Sequence, residues 1–162
     1  MINELLDQKI KDEEKKHLLV KALKDNQLHI DEISKHKDSY LDKDVQVIVE
    51  ALNEVSYAHP EITNSSWLSF LKTYINSSNN HIKRNVLLAI GNLSSLYPNN
   101  LDGILKTLLT HYKETNKELQ LVKYDTLTKI IRLDKYKDSS YEKQVKEIGE
   151  ALVANSSGLL NF

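Results

Sequence analysis

Along most of the chain apolar residues return every three or four positions, and short clusters of Ser, Thr, Asn and Asp interrupt them. That period marks helices with one buried face, and the polar clusters suit caps and joints because their side chains compete for backbone groups. The pattern predicts nine helices, over roughly residues 2–11, 13–25, 28–36, 42–58, 65–76, 80–97, 100–114, 117–133 and 140–154. The clearest joints are Asn64 to Ser66, Ser77 to Asn80, Pro98 to Asn100, and Thr115 with Asn116. Only four Gly and two Pro occur in 162 residues, far fewer than a strand-rich domain of this length would place in turns. The expected class is all-α.

The long helices repeat one another. Ala89-Ile90 with Leu93 matches Ala51-Leu52 with Val55 at a spacing of 38, and Thr126-Leu127 with Ile130 at 37. Ala22-Leu23, preceded by Leu19 and Val20, supplies a further copy 29 residues before Ala51, with the short helix at 28–36 absorbing the deficit. The alternate helices repeat as well, since Trp67, Phe70, Leu71 and Tyr74 match Leu105, Leu108, Leu109 and Tyr112. Helix pairs of this period cannot bury their apolar faces singly, so a stack with a continuous core is expected. Pro60 and Pro98 close equivalent second helices, because proline disfavours helix in the residue before it. Gly91 lies inside a predicted helix, where glycine costs roughly 1 kcal/mol relative to Ala, so a neighbouring helix is expected to approach closely there.

At these positions the chain resembles the HEAT-repeat family, whose second helix opens with a Val-Arg-like pair and runs through small residues to Ala-Leu-Gly. Ile82-Lys83 stands at the opening pair, Val86 and Leu87 follow, and Ala89-Ile90-Gly91 matches the end. The other copies open with Asp44-Val45 and Leu119-Gln120 and carry Asn53 and Thr128 in place of the glycine. The resemblance implies a right-handed α-α superhelix, a HEAT-like or armadillo-like solenoid, in one domain over residues 1–155 with a C-terminal tail at 156–162. The helix at 140–154, with Val145, Ile148, Ala151 and Leu152 on one face, is expected to cap the stack.

Composition removes several kinds of chemistry. Cysteine is absent, which excludes disulfides, thiolate metal sites and thiol nucleophiles. The four glycines are scattered singly, so no phosphate loop exists, and no serine sits in a Gly-x-Ser-x-Gly elbow. His29, Glu32 and His36 share a face at ligand spacing, but three ligands on one short helix need a fourth from elsewhere. A solvated polar face is the simpler reading, and no metal or cofactor is expected. Carboxylate pairs such as Glu13-Glu14 lie among lysines, where they serve helix surfaces. The acidic start, without a basic segment and apolar run, and the absence of a long apolar stretch point to a cytoplasmic protein that does not enter a membrane.

The net charge is −1, and Arg84 and Arg132 are the only arginines, which argues against nucleic acid as the main partner. Some solenoids similar to HEAT repeats are alkyl-base DNA glycosylases that combine aromatics, a carboxylate and a cationic groove, and that nucleic-acid-binding or DNA-repair activity is the alternative reading. Here Trp67, Phe70, Tyr74 and Tyr112 fall at repeating core positions, while Lys83 aligns with Val45 and Gln120, and Arg84 with Gln46 and Leu121, so no basic column forms. The favoured expectation is a non-catalytic scaffold that binds a peptide or helix of another protein along its concave face. The second helices would contribute a stripe of Gln46, Glu50, Glu54 and Tyr57; Arg84, Leu88, Asn92 and Ser95; and Leu121, Asp125, Lys129 and Arg132. His17, Lys21 and Asp25 extend it in the first copy. Acidic Glu50 and Glu54 at one end and basic Lys129 and Arg132 at the other would orient a partner of complementary charge.

Overall fold

A computed structural model describes the backbone of residues 1–160 and the side chains of residues 1–155; the side chains of the expected tail lie outside the described residues. The described residues form nine α-helices and no strand: α1 (Ile2–Leu5), α2 (Asp12–Lys24), α3 (Ile30–Lys35), α4 (Asp42–Ala58), α5 (Ser66–Lys72), α6 (Asn80–Leu93), α7 (Asp102–Thr110), α8 (Lys117–Ile131) and α9 (Ser140–Leu160). Four short 3-10 turns lie between them. None of the helices is long and apolar enough to cross a membrane.

Helix ends follow local side-chain chemistry. The run expected as a helix over 2–11 stops at Leu5, and Asp7 then accepts a hydrogen bond from the Lys9 N–H (2.9 Å) in a turn that a continuous helix would forbid. Asp12, Glu13 and Glu14 open α2, where negative charge complements the exposed N–H groups, and Asn26 at φ 60° turns the chain beyond its end. Asn79 accepts from the His81 and Ile82 amides at the start of α6, and Asn116 accepts from Leu119 (3.1 Å) at the start of α8. Helix α6 ends at Leu93 where the pattern predicted 97, and Ser94 and Ser95 follow in a turn.

The two prolines follow residues of like backbone conformation. His59, before Pro60, has φ −137° and ψ 56°, and Tyr97, before Pro98, has φ −128° and ψ 60°. In each case proline opens a three-residue 3-10 turn that leads toward the next helix.

Packing divides the chain into two compact units, one from Met1 to Leu93 and one from Ser94 onward. In the first, α4 lies between α2 and α6, while α3 packs on α5 and α5 on α6. Helix α4 buries Val45, Val47, Ile48, Val49, Ala51, Leu52 and Val55, which is more than one face and accounts for neighbours on two sides. Trp67 and Phe70 of α5 are buried, and Phe70 meets the Tyr74 ring at a centroid distance of 5.2 Å. Trp67 and Phe70, two of the four aromatics in the base-stacking alternative, are therefore taken up by the core.

In the second unit α8 packs against α7 and α9, and α7 also meets α9. Thr126, which the sequence repeat aligns with Ala22, Ala51 and Ala89, is buried, as each of those alanines is. Thr126 is accommodated there because its hydroxyl donates to the Val122 carbonyl (3.0 Å) one turn back. The Tyr136 hydroxyl donates to Asp102 Oδ1 (2.6 Å), fastening the 3-10 turn at Asp134–Tyr136 to the first residue of α7. That bond, with Lys135 beside it, holds the Asp102 carboxyl below its ordinary range. Tyr112 departs from its expected core position and is 41% exposed.

Gly91 is buried in α6, but the glycine whose surroundings fix its identity is Gly149 of α9. A Cβ there would lie 2.4 Å from the Tyr124 hydroxyl oxygen and 2.8 Å from its ring carbon Cζ. Gly149→Ala sets the displacement of the Tyr124 ring, about 1–3 kcal/mol for overpacking, against the roughly 1 kcal/mol that Ala gains over Gly inside a helix, and a lower melting temperature is expected. Tyr124→Leu in the same chain should recover part of that loss in a double-mutant cycle, and additive losses would contradict the contact.

Candidate functional site

A polar concavity of the first unit lies where α4 and α6 run side by side. Glu50, Asn53, Glu54 and Tyr57 recur at helical spacing along α4, and His81, Arg84 and Asn85 do so at the start of α6. With Lys16 of α2 they line an open groove of about 390 Å³. Tyr57 is 79% exposed, the most open of the large apolar side chains among the described residues.

A chain of amides forms the floor. Asn53 donates through Nδ2 to Asn85 Oδ1 (3.1 Å), and Asn92 donates to Asn53 Oδ1 (3.2 Å) and to the Ser56 hydroxyl (3.1 Å). Asn85 in turn donates to the His81 carbonyl (3.0 Å). At the rim, His81 Nε2 meets Glu50 Oε1 at 2.5 Å, bridging α6 to α4. These bonds hold the two helices in one register and set the amides between charged side chains of both signs.

The groove offers a carboxylate and an imidazole in contact, the beginnings of an acid-base pair. Its lining contains no Ser or Thr hydroxyl that such a pair could activate. What it can do is present hydrogen-bond donors and acceptors, two carboxylates, two cationic side chains and an exposed aromatic ring.

Four residues of the stripe expected from sequence, Glu50, Glu54, Tyr57 and Arg84, line this groove together. Gln46 and Leu88 are half-buried on the same two helices, and Asn92 turns inward to the amide chain. Ser95 is exposed but lies past the end of α6, in a turn and not on the helix expected there. In the second unit Leu121, Asp125 and Lys129 are exposed on α8 and Arg132 is exposed at its C-cap, with Lys129 Nζ 3.3 Å from Asp125. His17, Lys21 and Asp25 are exposed along α2 and its end. Sequence reasoning did not include Lys16, Asn53, His81 and Asn85. The i, i+3 and i, i+4 spacing of His81, Arg84 and Asn85 is the signal that would have found three residues of one face.

No group of three or more His, Asp or Glu side chains among the described residues could hold a metal ion, so His29, Glu32 and His36 do not form one. Compared with protein-family models, with curated proteins and with solved structures, the chain matches none.

Removing the central amide tests the floor. Asn53→Ala leaves Asn85 and Asn92 short of partners and should cost about 1–3 kcal/mol in thermal or urea unfolding. In combination with Asn85→Ala the two losses should fall short of their sum, because the residues share one bond.

Proposed function

We propose that this protein is a non-catalytic interaction module whose helices stack as a HEAT-like right-handed superhelix and whose α4–α6 face receives a peptide or helix of another protein. One observation carries the proposal: on helices that are largely buried a polar groove stays open, and in it amides, paired charges and the exposed Tyr57 ring stand together. Amides can donate and accept at once, which suits a polypeptide backbone. Tyr57 supplies an amphipathic anchor of the kind that dominates interface energetics. Glu50 and Glu54 favour a segment with lysine or arginine opposite them.

The superhelical reading is supported by the order α2, α4, α6 with α3 against α5, and by the matching backbone at His59 and Tyr97. Small-angle X-ray scattering from the full chain should give the profile of an elongated, curved particle. A profile that fits a sphere-like body would remove the superhelix.

Binding is tested by fluorescence polarisation with a panel of labelled peptides that pair lysine or arginine with apolar residues. At least one should bind saturably, and Glu50→Lys with Glu54→Lys, or Tyr57→Ala alone, should weaken it at least tenfold with the helical circular dichroism unchanged. If the whole panel fails to bind, or affinity survives both changes, the groove has no such role.

A further inference from the structure

The second unit contains a buried cation that the groove of the first unit does not involve. The Lys123 side chain of α8 is 4% exposed, and its ammonium donates to the His111 carbonyl (2.7 Å) and to Glu114 Oε1 (2.8 Å). The repeat makes its position unusual. Lys123 falls in the column occupied by Leu19, Ile48 and Val86 in the other copies, each of them at most 1% exposed. An apolar residue would fill that column without the cost of desolvating an ammonium and a carboxylate. The ion pair is therefore not what packing alone would select.

Beside it lies a cavity of about 460 Å³, within the size range of small-molecule sites. Tyr124, Leu127, Ile148 and Leu152 supply its apolar wall, and Lys123, Glu114 and the half-buried Gln120 lie at its polar end. An ammonium has three N–H donors, of which two are engaged by the contacts above. Lys113, which also borders the cavity, is exposed to solvent, whereas the buried Lys123–Glu114 pair is neutral as a unit, so a charged group placed against that pair would be uncompensated.

We infer that this cavity is a binding site for a small, uncharged, mostly apolar molecule bearing one carbonyl or hydroxyl oxygen, which accepts the remaining N–H of Lys123 while its hydrocarbon body lies along α8 and α9. The site is independent of the α4–α6 groove, and either can fail without the other. A ligand that closes it fills space beside Tyr124, the ring that rests on Gly149.

The test uses the full chain and 6-propionyl-2-(dimethylamino)naphthalene, a neutral dye with a single ketone on an aromatic body, whose emission shifts to the blue in an apolar site. Saturable binding of one dye per chain with blue-shifted emission is expected. Ala151→Trp, at an exposed position of α9 that borders the cavity, should abolish the shift while the thermal melt stays as in the parent. Lys123→Gln with Glu114→Gln removes both charges together, keeps the pair neutral and able to hydrogen-bond, avoids leaving one buried charge alone, and should weaken the dye about tenfold, as loss of a charged donor predicts. Absence of saturable binding, or binding that Ala151→Trp leaves intact, overturns the site. Equal affinity in the double variant overturns the role of Lys123.

Discussion

A helix that is apolar over most of its circumference cannot rest on the surface of a protein, and α4 is such a helix. Val45, Val47, Ile48, Val49, Ala51, Leu52 and Val55 point in too many directions for one neighbour to cover, so α2 and α6 must take the two sides. The small residues Ala22, Ala51 and Ala89 let these helices approach, and the larger residues around them fill the space between. What remains exposed is narrow, and its content decides what the molecule can do. Burial of the seam and composition of the open stripe are two consequences of one constraint.

The amide chain shows how that stripe is held. Asn53 stands where the corresponding copy has Gly91, and it links Asn85 to Asn92 across the seam. Each of those bonds contributes on the order of 1 kcal/mol net, yet removing one partner costs more because the other is left half-buried and unsatisfied. A network of this kind adds little to stability and much to register. It fixes where Glu50, Tyr57 and Arg84 stand relative to one another, which apolar contacts between ridges would leave less defined.

The helical class and the spacing of the copies were legible because burial repeats with the chain. Every alanine-column residue is buried where the period placed it, and both prolines sit at matching turns. Helix ends were less legible, since they depend on local detail: Asp7 accepts a hydrogen bond in the turn just past α1, and α6 gives way to a turn at Ser94 and Ser95, before Pro98 would require it. Half of the groove was legible as exposed positions at helical spacing. His81 and Asn85 share a helical face with Arg84 that local spacing could have marked, but their pairing with Glu50 and Asn53 was not legible, because those bonds join residues about 30 apart whose facing is set by packing.

Lys123 marks where a periodic reading is at once informative and incomplete. A column of apolar residues predicts burial at that position, and the position is buried, but its occupant carries a charge that the column does not foresee. Such a substitution holds only if the surroundings supply a counter-charge and acceptors, and Glu114 and the His111 carbonyl do so from the segment between α7 and α8. The segment is thereby tied to the helix that follows it, and the space between α8 and α9 opens next to a polar end instead of closing as an apolar core. A local break in an otherwise regular pattern is therefore the more informative guide to chemistry, because regularity accounts for the stack and only the exceptions require a further cause.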